Sequence, residues 1–143
     1  MNGKVLFIAA ILAVCAAVIT GLVMVGGPSQ GRRDRFDDQR YAELGNLANA
    51  LLCNQAGESR SNSLPAELTV ESLRGHCSIA GITADDLSDN ETGAPYVYDR
   101  RNAHDFSICA TFHDARRTVK LAYSDRFEAS FDPGTGCISG SIR

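Results

Sequence analysis

VLFIAAILAVCAAVITGLVMV, residues Val5 to Val25, decides how this chain is organised: it contains no charged side chain and only Thr20 as a polar one. At about 1.5 Å rise per residue, a helix of this length reaches roughly 30 Å, the thickness of a bilayer's hydrocarbon core. Lipid offers the backbone no hydrogen-bond partners, so such a segment takes the form that closes its own bonds, a helix. Gly26, Gly27 and Pro28 are expected to stop it. A cleaved secretory signal is the rival reading, but its apolar core is about 7–15 residues long. This run continues well past the nearest small-residue site, Cys15-Ala16-Ala17, and Val14 stands where lipoprotein processing at Cys15 wants a small residue. The expectation is a retained signal-anchor: residues 1–28 as the transmembrane anchor, 29–35 as a juxtamembrane segment, and 36–143 as one small globular domain.

The rest of the chain has a different composition. Of 143 residues, 14 are basic and 17 acidic, for a net charge of −3. Lys4 is the one charged side chain before Pro28, so the remainder is mildly acidic. That balance gives no general attraction to nucleic acid, and none is expected as a partner. Membrane orientation is contested by two rules. Arg32, Arg33, Arg35 and Arg40 follow the apolar run, and by the positive-inside rule they favour a cytoplasmic domain. The cysteines argue the opposite.

Cys15 lies within the apolar run, and four cysteines remain: Cys53, Cys77, Cys109 and Cys137. An even count in a small domain fits a disulfide framework, with free thiols or a metal site as alternatives. No C-x-x-C pair is present. His76 beside Cys77 is a poor ligand pair, because adjacent side chains diverge. The preferred pairing is sequential, Cys53–Cys77 and Cys109–Cys137, each closing a loop worth about 3.5 kcal/mol in the chain-entropy model. An oxidising, extracytoplasmic compartment follows from that pairing and outvotes the arginines.

Beyond the anchor, Tyr41, Leu44, Leu47, Ala48 and Leu51 recur at three- and four-residue steps from Phe36 onward, one face of an amphipathic helix expected to end at Asn54 to Gly57. Gly57 to Leu64 reads as a loop, Thr69 as the N-cap of a short helix ending at Gly75, and Thr83 as the cap of a further turn. Strands come last. Tyr96 to Asp99 is β-prone after a Gly-Ala-Pro turn. In Phe106 to Phe112 (FSICATF) Phe106, Ile108, Ala110 and Phe112 share one face. Val119 to Tyr123 and Phe127 to Phe131 are expected strands, followed by a turn over Asp132 to Gly136 and a final strand from Cys137. Helices first and an antiparallel meander after them predict an α+β fold: anchor helix, amphipathic helix, small antiparallel sheet.

The runs Asp89-Asn90-Glu91-Thr92-Gly93-Ala94-Pro95-Tyr96-Val97-Tyr98 and Phe106-Ser107-Ile108-Cys109-Ala110-Thr111-Phe112 resemble an uncharacterised bacterial family of small membrane-anchored domains. Those carry D-P-x-T-G-x-P-Y-x-Y, then F-x-L-C-A-T-F, then a cysteine near the end. More distantly the chain resembles the heads of type II secretion pseudopilins. The resemblance implies a pilin-head-like fold and an inner-membrane address, and brings no activity with it. Asn90 replaces the family's proline, and there is no Trp. Lys4-Val5-Leu6-Phe7-Ile8 also lacks the glycine-phenylalanine cleavage site and following glutamate of prepilins.

Candidate sites are few. Asp85, Asp86, Asp89 and Glu91 form an oxygen-rich loop that could attract calcium, although it has no EF-hand spacing; a solvated loop and helix cap is the plainer reading. His76, His104 and His113 are scattered and read as surface residues. Tyr96, Tyr98, Phe106, Phe112, Tyr123, Phe127 and Phe131 read as core before groove, and Arg100-Arg101 and Arg116-Arg117 as hairpin surface. No catalytic residue and no cofactor is expected. The function expected is a membrane-tethered, non-enzymatic domain of the cell envelope that engages a protein partner or a second copy of itself. The alternatives are a pseudopilin-like fibre subunit and an envelope enzyme. The latter requires a pocket in which His104 or His113 meets a carboxylate within hydrogen-bond reach.

Overall fold

The computed structural model of the protein describes residues 3–25, 27–53, 63–77, 81–121 and 129–142. It divides into two compact units, Met1–Arg33 and Asp34–Arg143.

In the first unit, α1 (Gly3–Val25) is a continuous helix, long and apolar enough to cross a membrane. Phe7, Leu22 and Met24 are 68%, 61% and 84% exposed. Large apolar side chains standing in the open around a whole helix are what lipid, and not water, would solvate. The expected stop at Gly26 to Pro28 is also a start. The Gly27 carbonyl accepts from the Gln30 and Gly31 amides, opening α2 (Pro28–Leu52), so residues 29–35 are helical.

From Asp34 onward α2 belongs to the second unit and supplies the helical wall of its core. Leu44, Leu47, Ala48, Leu51 and Leu52 are buried against Phe106, Ile108 and Ile138 of the sheet. Leu64, Leu73 and Ile82 close the core's flank. Among these, α3 (Val70–His76) starts in a complete capping box: the Thr69 hydroxyl accepts the Ser72 amide, and the Ser72 hydroxyl accepts the Thr69 amide. A short 3-10 turn (Asp85–Leu87) follows, with the Asp86 carboxylate accepting both the amide and the hydroxyl of Thr83.

The sheet comprises β1 (Val97–Arg100), β2 (Asp105–Cys109), β3 (Ser130–Asp132) and β4 (Cys137–Ser141), in the order β1-β2-β4-β3 with every pair antiparallel. The α+β class is as the sequence predicts. The meander is not, because β4 inserts between β2 and β3. Ile108 pairs with Ile138, and Phe106 lies opposite Gly140, where an added Cβ would come within 2.7 Å of the Phe106 ring. The large side chain thus claims the space of two positions.

The expected strand at Val119 to Tyr123 is also corrected. Residues 119–121 end a helix, α4 (Ala115–Leu121), and 122–128, with Tyr123 and Phe127, lie outside the described residues. Alternation there is overridden by a cap: the Asp114 carboxylate accepts the Arg117 amide, and its carbonyl accepts from Thr118. The expected helix end over Asn54 to Gly57 lies outside the described residues as well. α2 stops at Leu52, and Cys53 adopts a left-handed φ of 56°.

Candidate functional site

The apolar stripe of α2 does not end where its apolar residues end. One step of four residues toward the N-terminus from Leu44 and from Tyr41 reaches Arg40 and Asp37, which are 3% and 1% exposed. Two charges on a core-facing stripe must find partners or they would oppose folding. Arg40 donates through Nε to Asp89 at 2.6 Å, through one terminal nitrogen to Asp37 at 2.8 Å, and through the other to Glu91. The planar fork of a guanidinium suits three acceptors in different directions, which a lysine could not match. Asp37 in turn accepts the backbone amides of His113 at 3.0 Å and Asp114 at 2.7 Å. One turn along, Glu43 accepts from the side chains of Asn90, Gln39 and Tyr96. Residues 37, 40 and 43 therefore bind α2 to the 89–96 loop and to the segment that leads into α4.

Protonation follows from this wiring. Burial pulls the Arg40 guanidinium down, but the hydrogen bonds it donates to Asp89, Glu91 and Asp37 outweigh it and raise its pKa, keeping it cationic. Burial likewise penalises the Asp89 carboxylate, and the Arg40 bond and the Glu91 amide overcome it, lowering its pKa. Glu91 is lowered by its hydrogen bond to His113 and then by Arg40. Tyr96 is raised by burial and by accepting neighbour Glu43, so its hydroxyl remains a donor.

Beside this cluster opens a groove of about 560 Å³. The 94–97 strand entry forms one wall and residues 109–112 the other; Arg40, Asp89, Glu91 and His113 stand at one end. The groove exists because two paired strands part company. Val97 still pairs with Cys109, but the Tyr96 amide turns to the Leu87 carbonyl and Ser88 bridges to Pro95. Across it the Ala110 amide is held by the Gly136 carbonyl. Val97, on the edge strand β1, is 64% exposed. Phe112 packs edge-on against Phe131, which packs against Tyr41, stiffening the far wall.

The sequence-predicted residues fall as follows. Asp86 lies within the 3-10 turn and accepts from Thr83, but the residue at the turn's N-cap is Ala84 and not the expected Thr83; Asp89 and Glu91 turn to Arg40, so the positive charge that faces them is a guanidinium. Asp85, at the start of that turn, does not join them. His113, read as a surface residue, places Nε2 at 2.8 Å from Glu91, which meets the geometric requirement set for the enzymatic alternative. Its partner is Glu91, not neighbouring Asp114. His104 is exposed, with its amide on the Asn102 side chain. Tyr96 and Phe106 are core residues, and Tyr98, Phe112 and Phe131 pack against that core. Arg116 and Arg117, expected on a hairpin, lie on α4, where Arg117 reaches Asp34 at 3.3 Å. The residue missed outright was Arg40, counted with the membrane flank although the helical stripe passes through it.

The four cysteines form two pairs at disulfide distance, Cys53–Cys77 and Cys109–Cys137, with Cα separations of 5.7 and 4.0 Å. The second pair links facing residues of β2 and β4. The first is not isolated: Cys53 Sγ, Cys77 Sγ and a ring nitrogen of His76 all lie within 4.8 Å of one another, and all three residues are buried. This corrects two expectations: that His76 is a surface residue, since it is buried, and that His76 and Cys77 diverge. His76 is the last residue of α3 and Cys77 its extended C-cap (φ −138°, ψ 140°), and the change of backbone turns both side chains toward Cys53.

Comparison of the chain with protein-family models, with curated proteins and with solved structures finds no match.

Proposed function

We propose that the protein is a non-enzymatic interaction domain of the cell envelope. α1 holds it at the bacterial inner membrane, its head lies on the extracytoplasmic side, and the groove beside β1 receives a segment of a protein partner. Val97 carries this reading. Among the described residues outside α1 it is the exposed large hydrophobic, and it sits both on an edge strand and at the lip of the groove. Edge strands offer free backbone donors and acceptors to an added strand, and adjacent pockets then select its side chains. The Arg40 cluster gives the groove a rigid polar end. Two cysteine pairs at bonding distance favour an oxidising compartment. The burial of Arg40 also removes one cation from the flank that argued for a cytoplasmic head.

A photo-crosslinking residue at Val97, with Arg74 on α3 as an exposed control, tests this in cells. A discrete adduct from position 97, absent from position 74 and lost when residues 3–25 are deleted, is the expected result. Equal adducts at both positions, or none at 97, would refute the docking assignment.

The His113–Glu91 pair favours a second reading, an envelope hydrolase with His113 as base, Glu91 as its orienting partner, and Thr92, Thr111 and Thr135 nearby in the groove. Such an enzyme would turn over activated esters and lose that turnover in His113→Ala. A chain with no such turnover, but with the position-97 adduct, is a binding domain.

A further inference from the structure

The cluster where α2 and α3 end has chemistry that neither function uses. Cys53 follows the last residue of α2, and His76 and Cys77 finish α3, so two helix C-termini converge on three buried side chains. The Leu51 carbonyl lies 4.0 Å, and the His76 carbonyl 3.8 Å, from Cys53 Sγ. Reactive thiolates are made at helix N-termini or beside cations. Here the surroundings are the opposite: carbonyl oxygens and the negative ends of helices, which resist lone thiolates and welcome a positive ion. His76 Nε2 is 3.0 Å from the Leu51 carbonyl, and since a carbonyl only accepts, Nε2 is the donor and Nδ1 is the nitrogen left to offer a lone pair. A backbone carbonyl fixing one ring nitrogen so that the other can ligate is the usual outer arrangement around a metal-bound histidine.

We propose that Cys53, His76 and Cys77 form a redox-gated site for a thiophilic divalent ion of the zinc class, closed when the two sulfurs are bonded and opened by reduction. A dithiol reductant delivers two electrons and two protons to the Cys53–Cys77 bond, leaving two thiols and its own disulfide. The ion then displaces the two thiol protons and is held by two thiolates and the imidazole of His76. In the tetrahedral geometry zinc prefers, this leaves a fourth position for water. Cys109 and Cys137 have no histidine beside them among the described residues and serve as an internal contrast.

Cobalt(II) is the probe, because thiolate ligation gives it a near-ultraviolet charge-transfer band. The full-length chain in detergent is reduced with a phosphine, desalted without oxygen, checked by far-ultraviolet circular dichroism and titrated. The expected result is one cobalt per chain with a thiolate band that zinc displaces. The band should be absent before reduction and unchanged in the Cys109→Ser, Cys137→Ser double variant. In His76→Gln the amide can still donate to Leu51 but the imidazole lone pair is gone, so affinity should fall by about tenfold or more. No thiolate band in the reduced wild-type chain, whether folded or unfolded, overturns the proposal. So does a band that survives in Cys53→Ser, or an affinity unmoved by His76→Gln.

Discussion

Arg40→Ala should be among the most destabilising single substitutions in the head. Arg40 is 3% exposed and satisfies Asp37 and Asp89, themselves 1% and 6% exposed, besides Glu91 at the rim. Removing it leaves two buried carboxylates without their cation, and breaking a buried ion pair from one side costs about 3–5 kcal/mol. The loss of the aliphatic stem's packing adds to that. For a unit of this size, about 4 °C of Tm accompanies each kcal/mol, so Tm should fall by at least about 12 °C. The assay is urea unfolding of the full chain in detergent at neutral pH, disulfides intact, followed by far-ultraviolet circular dichroism. Two companions locate the cause. Arg40→Lys should recover only part of the loss, because one ammonium cannot reach three divergent acceptors. Adding Asp37→Asn and Asp89→Asn to Arg40→Met should be less damaging than Arg40→Met alone, because the penalty lies in the orphaned charges. A loss for Arg40→Ala below about 1 kcal/mol, the scale of an exposed pair, would refute the claim that the cluster is a buried clamp.

Acid should reveal the same network. The Asp89 pKa is held below its ordinary value of 3.8, so its contribution is present above that pH and lost as pH falls through the lower, folded value; acid titration of wild type and Arg40→Ala should differ in this limb. Arg40 is charged in both folded and unfolded chains near neutrality and adds no pH dependence there. Asp114→Ala removes the carboxylate that caps α4 and should cost about 1 kcal/mol by thermal unfolding. Gly136→Ala should cost about 1–3 kcal/mol or more, since φ is +71° and the new Cβ would sit 2.5 Å from the Ala110 carbonyl oxygen that borders the groove. Replacing Cys53 and Cys77 together by serine should cost about 3.5 kcal/mol, the loop entropy for a separation of 24 residues, read from the urea midpoint.

Elements whose signal is local were readable. The apolar run of α1, the stripe of α2 from Tyr41 to Leu51, the Thr69 cap and the alternation of β2 each rest on a period or a cap a few residues long. The residues misread are those whose partners are far along the chain. Val119 to Leu121 alternates like a strand, yet Asp114 caps a helix there while its own amide is held by Asp37, 77 positions earlier. Strand order was misjudged because hydrophobic period cannot say that β4 will lie between β2 and β3. Arg40 was readable in part: its place on the stripe and its acceptor Asp37 are a matter of counting, but its other two acceptors are 49 and 51 positions away.

The sequence by itself therefore determined the apolar helix, the α+β class and an even set of four cysteines outside that helix, because length, period and parity are properties of the chain. Tertiary structure alone decided which charges were buried, how the strands were ordered, where the groove opened and that His76 joined Cys53 and Cys77. Those are matters of convergence between distant segments: a side chain's environment is set by what folds against it, and desolvation makes that environment, more than the residue type, the determinant of its chemistry.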